Sequence, residues 1–173
     1  MLLLAAALCL SCTREKPKPK QPPFDKAQFM TRGIQTLIAD VDLGVMAAKK
    51  GRVPDTRAFG QAFEHDMREM QAALTALARQ KNVAIPTAVE EKKVALKDNL
   101  TILPGQVFDR GYLLAMLQDI RWFYAQLGRA SEGPADPDLT AFADRWKPVL
   151  AKHEKEAKRV IDKLGGFPFG FEP

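Results

Sequence analysis

Four stretches of this chain repeat apolar residues at helical spacing, and each carries one polar residue on its apolar side. The clearest stretch is VFDRGYLLAMLQDIRWFY, in which Asp119 lies in the middle of a face of aromatic and aliphatic residues. The corresponding residues of the other stretches are Asp40, Asp66 and His153. Helix bundles build internal metal or catalytic sites from such inward side chains, and a buried carboxylate without a partner costs several kcal/mol. The pattern therefore predicts a helical bundle with a candidate internal site at these four positions.

The connections between the stretches predict the topology. The stretches span about 25–50, 55–82, 106–127 and 139–164. Short connections join the first to the second and the third to the fourth, which predicts two antiparallel hairpins. The middle connection is much longer and contains TAVEEKKVALKDNL, a short helix candidate. A ferritin-like bundle uses a long connection of this kind to cross its end and bring the two hairpins together. We therefore predict an all-α fold, a ferritin-like four-helix bundle with a long crossover between the second and third helices.

The N-terminal residues predict export and a lipid anchor. MLLLAAALCLSC is an apolar run of signal-peptide length, shorter than the roughly 20 residues of a membrane-spanning helix. Cys12 follows Ser11 in a context that resembles the lipidation site of bacterial prolipoproteins, and the next residues are rich in Lys and Pro, as in an extended tether. Plain secretion and an upstream start are the alternatives. We predict a signal peptide at 1–11, a lipidated tether at 12–23, the bundle at 24–166 and a Phe/Gly/Pro tail at 167–173.

The charge distribution argues against a nucleic-acid partner. The formal net charge is +5, but four basic residues and one acidic residue lie in the tether before Phe24, so the folded part carries only +2. Tyr and Trp are few, and the arginines are scattered rather than clustered. We expect no nucleic acid, and instead a protein of the bacterial envelope that faces the periplasm. Thr13 after Cys12, where Asp is absent, favours the outer membrane.

Four segments, in this order and spacing, resemble one bacterial family. They are DVDLGVMA, FGQAFEHDMREMQAALTALARQKNVAIP, FDRGYLLAMLQDI and WKPVLAKHEKEA. The chain resembles the domain of unknown function 4142 family over roughly 29–164, and the F-D-x-x-Y opening of the third helix is the most specific element. The resemblance implies an exported ferritin-like bundle of the cell envelope and no established activity.

The chain departs from the family pattern at the candidate site. Family members usually carry Asp-His on the second helix and again on the third, whereas this chain has Asp66-Met67 and Asp119-Ile120. The fourth-helix histidine, His153, is the one that remains. Met67 and Ile120 continue apolar stripes, so we expect both to be core residues.

Each polar candidate also has a structural interpretation. Asp66 and Asp119 could pair with arginines such as Arg68 and Arg121, or cap backbone groups at a helix end. His153 could be a hydrogen-bonded core histidine. This chain also has no Glu-x-x-His, the motif of diiron carboxylate bundles.

Two functions remain open at this point. The missing histidines favour a non-enzymatic, lipid-anchored envelope protein that acts as an interaction or stress-related module, with no cofactor. Its partners would be the membrane, through the anchor, and an unidentified envelope protein. The alternative is a metal-binding ferritin-like protein with redox or oxidase-type activity, in which Asp40, Asp66, Asp119 and His153 bind iron, manganese or zinc.

Overall fold

The computed structural model describes residues 22–130 and 136–167, which form five α-helices. The helices are α1 (Lys26–Lys50), α2 (Pro54–Gln80), α3 (Glu91–Ile102), α4 (Gly105–Arg129) and α5 (Pro137–Lys163). The described residues contain no strand, and the predicted all-α fold is confirmed. Cys12, the predicted signal peptide and the end of the predicted tail lie outside the described residues.

Aspartates begin two of the long helices. The Asp25 carboxylate accepts a hydrogen bond from the backbone N–H of Gln28 at 2.9 Å at the start of α1. The Asp136 carboxylate accepts one from the N–H of Leu139 at 3.2 Å at the start of α5. Each bond satisfies a donor that has no partner within its own helix. No helix among the described residues combines the length and the hydropathy that a membrane span requires.

The four long helices surround one apolar core. Helix α1 packs against α2 and α4, and α5 packs against the same two helices. Helices α1 and α2 approach closely at Gly44 and Gly60, where a Cβ atom on Gly60 would lie 2.9 Å from the Gly44 carbonyl oxygen. The core includes large side chains that are fully buried: Phe63, Met67, Met70, Tyr112, Phe123, Trp146 and Leu150.

The connection between α2 and α4 runs along the bundle and does not cross its end. Lys26 at the start of α1 and Lys81 just after α2 both pair with Asp136, so α2 ends beside the start of α1. At the other end, the Lys50 ammonium lies 4.9 Å from the ring centroid of Phe108, so α4 begins beside the end of α1. The chain must therefore travel the length of α1 between the two helices. The prediction of a connection across the bundle end is wrong for this topological reason.

Helix α3 follows this path in the same direction as α1. The segment before α3 meets α1 near Gln35, whose side-chain amide donates a hydrogen bond to the Ala88 carbonyl at 3.0 Å. The end of α3 meets the end of α1, where the Lys50 ammonium donates to the Leu100 carbonyl at 2.9 Å. An up-and-down bundle would instead pack α2 along α4 with a short connection. The long crossover between the two hairpins is therefore present, and the ferritin-like assignment stays a prediction.

The F-D-x-x-Y segment at the start of α4 fixes this helix against the turn between α1 and α2. The buried Asp109 carboxylate accepts hydrogen bonds from the backbone N–H groups of Arg52 at 2.8 Å and Val53 at 3.1 Å. Val53 is the N-cap residue of α2, and its own side chain makes no capping bond. Asp109 therefore caps α2 from another helix, which ties the two hairpins together.

We expect Asp109→Ala to lower the free energy of unfolding by about 3 kcal/mol, because it leaves two backbone donors without a buried acceptor. Asp109→Asn keeps one acceptor oxygen and should lose less. The matched control is Asp25→Ala, which removes an exposed helix cap and should cost about 1 kcal/mol. Urea unfolding followed by circular dichroism measures all three. A loss for Asp109→Ala no greater than that for Asp25→Ala would show that the cap does not hold the hairpins together.

Candidate functional site

The four residues predicted to form an internal site lie in two separate pairs. Asp66 on α2 pairs with His153 on α5, and Asp40 on α1 lies beside Asp119 on α4. Within residues 22–130 and 136–167, no three His, Cys, Asp or Glu side chains are grouped closely enough to hold one metal ion. Asp40 and His153 are buried, whereas the side chains of Asp66 and Asp119 remain 26% and 14% exposed. The fold therefore does not bring all four together in its interior.

The first pair joins α2 to α5. His153 Nε2 lies 2.7 Å from Asp66 Oδ2, and the His153 ring meets the rings of Phe59 and Phe63 edge-on at centroid distances of 5.8 and 5.1 Å. Burial among these rings lowers the pKa of His153, although the Asp66 carboxylate opposes this shift. A carboxylate can only accept a hydrogen bond, so Nε2 carries the proton that it donates to Asp66. The arrangement is that of a hydrogen-bonded core histidine.

The second pair includes a lysine that reaches it from α3. The Lys93 ammonium forms an ion pair with Asp119 Oδ2, and Lys93 Nζ lies 3.9 Å from Asp40 Oδ1. Lys93 and Asp40 are both buried, with 6% and 0% of their surface exposed. Three helices therefore contribute to one buried charged cluster, which we call the Lys93 cluster: Asp40, Lys93 and Asp119.

Asp40 is the group in this cluster whose charge is least well compensated. Burial raises its pKa well above the ordinary value of 3.8, and the neighbouring Asp119 charge raises it further, while Lys93 acts in the opposite direction. Neither oxygen of Asp40 accepts a hydrogen bond from a described residue, and a proton on Asp40 would let it donate to the neighbouring Asp119 carboxylate. The buried hydroxyl of Tyr112 also lacks one. Burial, together with the Asp40 charge, raises the pKa of Tyr112. The surroundings of Asp40 therefore disfavour its charged form.

Lys93 was not among the predicted site residues, and the predicted partners of the aspartates were different ones. Arginines were the suggested partners, whereas the structure pairs Asp66 with His153 and Asp119 with Lys93, and Arg68 pairs with Glu64 on its own helix. A lysine is rarely buried, and α3 has only a weak apolar stripe. The positive signal in the sequence was an unexplained inward Asp119, which requires a cation nearby.

The expected core positions are confirmed. Met67 and Ile120 expose 0% and 1% of their surface. Both side chains belong to the continuous apolar core. They contribute packing at positions where an imidazole would add a possible ligand.

We expect Asp40→Asn to stabilise the folded chain near pH 7 by about 1–3 kcal/mol, because it removes a buried acid at nearly constant volume. The pKa of Asp40 is higher in the folded chain than its ordinary value of 3.8. The contribution of protonated Asp40 to the free energy of unfolding of the wild type is therefore fully present below pH 3.8, and it is lost as the pH rises through the folded pKa. The difference in free energy of unfolding between Asp40→Asn and the wild type should therefore become smaller as the pH falls toward 4. Urea unfolding across this pH range measures it.

Asp42→Asn is the control for this substitution. Asp42 lies on the same helix in an exposed pair with Lys97, so its loss should change the free energy of unfolding by less than about 0.5 kcal/mol. An Asp40→Asn variant that is less stable than the wild type near neutral pH would mean that the Asp40 charge stabilises the fold.

Comparison with known proteins places the chain in a family without assigning an activity. The sequence model of the family described as Domain of unknown function (DUF4142) matches residues 12–160. No curated protein and no solved structure shows significant similarity to the chain. The match includes the Asp109 cap, the Lys93 cluster and the Asp66–His153 pair, and it covers most of the sequence. The chain therefore belongs to the DUF4142 family.

Proposed function

We propose that this chain is a lipid-anchored protein of the bacterial cell envelope, and that its helical domain acts as a non-enzymatic interaction or stress-related module. The apolar leader that ends at Cys12 and the Lys/Pro-rich stretch after it support the anchor. The domain faces the periplasm, and its partners are the membrane, through the lipid, and another envelope protein.

The observation that carries the non-enzymatic role is the intramolecular pairing of the inward polar groups. His153 is bonded to Asp66 at 2.7 Å, and Asp119 is paired with Lys93. A polar side chain held by a neighbouring helix contributes to folding, and a substrate or an ion would have to displace that neighbour. The two pairs support a structural use of residues that could otherwise form a reactive site.

The junction between tether and domain supports one orientation at the membrane. Arg129 donates to the Pro22 carbonyl at 2.7 Å, and its guanidinium lies 5.7 Å from the ring centroid of Phe24. The chain therefore enters the bundle at the end where α1 begins and α4 ends. The ten residues from Cys12 to Pro22 reach at most about 35 Å when fully extended. This length keeps that end near the lipid surface and leaves the opposite end and the sides available to a partner.

The alternative function is metal binding with redox or oxidase-type chemistry. The specific observation in its favour is that no described residue donates a hydrogen bond to the buried Asp40 carboxyl group, and that the buried Tyr112 hydroxyl has no hydrogen-bond partner among the described residues. Iron, manganese or zinc bound stoichiometrically to the purified protein, and lost on His153→Ala, would favour this alternative over the non-enzymatic role.

The anchor is tested by comparing two cysteine variants of the leader. We expect Cys12→Ala to abolish lipidation, and to move the protein from the detergent phase to the aqueous phase in phase partitioning. Cys9→Leu is the matched control, because it changes the other leader cysteine to a residue that favours lipidation at Cys12. Intact mass reports the lipid and the mature N-terminus directly. A Cys12→Ala protein that partitions like the wild type, or a mature chain that begins elsewhere, would contradict the anchor.

A further inference from the structure

An apolar groove lies between the end of α3, the start of α4 and the end of α5, at the bundle end opposite the tether. Its volume is about 440 Å³, which is in the range of pockets that hold small ligands. Its apolar lining consists of Leu103, Val107, Leu114 and Leu164. Ile102, next to Leu103, and Val107 are 79% and 58% exposed, the largest fractions among the large apolar residues of the described chain. Exposed apolar residues beside an apolar groove are typical of an interaction surface.

Arg110 gives this groove a positive charge. It is the only charged residue among the described residues that line the groove. Its guanidinium donates a hydrogen bond to the Leu164 carbonyl at the end of α5, and no carboxylate of the described residues pairs with it. A guanidinium carries several N–H donors in a fork, so others remain for an acceptor. The groove therefore suits a segment that combines apolar side chains with a carboxylate.

The chain leaves α5 beside this groove. Helix α5 ends in a turn in which Gly165 and Gly166 have positive φ angles of 100° and 79°, and the Gly166 N–H donates to the Ile161 carbonyl at 3.0 Å. A Cβ atom on Gly165 would lie 3.2 Å from a terminal nitrogen of Arg110. Phe167 then packs against the core. The turn therefore brings the chain back onto the bundle at the groove.

We propose that this groove is the docking site of the chain's own residues 168–173, which we call the tail segment. The tail segment, PFGFEP, follows the described part of the chain and combines the aromatic side chains of Phe169 and Phe171 with the carboxylate of Glu172. The two rings cover the apolar lining, and Glu172 supplies the carboxylate that Arg110 lacks. The segment reaches about 20 Å when fully extended, which is enough to cover a groove of this size.

Docking of the tail segment goes beyond the proposed function and does not depend on the lipid anchor. The docked segment shields the apolar lining from other proteins. An envelope partner that uses this end of the bundle must therefore displace it.

Labelling of a single introduced cysteine tests whether the groove is covered. The full chain with Cys9→Ser and Cys12→Ser has no other thiol, and the result then does not depend on lipidation. In this background, we expect Val107→Cys to react with a bulky maleimide about tenfold more slowly than the same variant truncated after Phe167, because burial of a Phe side chain gives a factor of this size. Val94→Cys is the matched control, since Val94 is 48% exposed on α3 and does not line the groove. Its reaction rate should not change on truncation.

Further substitutions in the full Val107→Cys chain identify the contacts. Phe169→Ser combined with Phe171→Ser should raise the labelling rate to that of the truncated chain. Arg110→Gln should raise the rate about two- to fivefold, because it removes the partner of Glu172 at a solvent-accessible ion pair. Glu172→Gln should have the same effect as Arg110→Gln, and it should add nothing to that substitution.

Three results would overturn the proposal. One is an equal labelling rate of Val107→Cys in the full and truncated chains. Another is protection that is lost on dilution, which would show that a second copy of the chain covers the groove. The third is equal protection of Val94→Cys, which would show a general effect of the tail segment instead of docking. Circular dichroism checks that each variant folds, and if the truncated chain does not, the full chain with Phe169→Ser and Phe171→Ser takes its place.

Discussion

The cost of burying polar and charged groups between helices constrains this fold more than any single apolar contact. An unpaired buried charge costs several kcal/mol, against a total stability of about 5–15 kcal/mol for a domain of this kind. Three buried groups obtain partners from other helices: Asp109 binds the turn before α2, His153 binds Asp66 and Lys93 binds Asp119. The Asp109 and His153 bonds link segments 57 and 87 residues apart, whereas Lys93 joins α3 to the next helix along the chain. The polar interior therefore fixes which helices are neighbours, and the apolar core fills the space between them.

This arrangement also explains why four polar residues on the apolar faces of four helices do not form one site. Aromatic rings lie between the two pairs: Phe59 contacts the His153 ring and the ring of Tyr112, and the Asp40 charge in turn acts on Tyr112. Met67 and Ile120, which follow Asp66 and Asp119 in the sequence, fill core positions. The aspartates thus serve folding through their partners, and the residues that follow them serve packing.

The sequence predicted the helices and the inward positions, because apolar spacing reports which face of a helix is buried. Asp40 and His153 are buried as that spacing indicates. Spacing does not report the height of a residue along the bundle, so the separation of the four residues into two pairs could not be predicted. Lys93 was missed because its helix carries little apolar signal, and because the crossover was expected at the bundle end rather than along α1.

Double-mutant cycles on the free energy of unfolding test most directly whether the interior is built from two independent pairs. Cycles within the pairs combine Asp66→Ala with His153→Ala, and Asp119→Ala with Lys93→Ala. They should give coupling energies of about 1 kcal/mol or more. The cycle between pairs, Asp66→Ala with Asp119→Ala, should be additive within about 0.5 kcal/mol. A coupling energy between the pairs as large as the coupling energy within them would contradict this account. It would show that the two pairs act as one site.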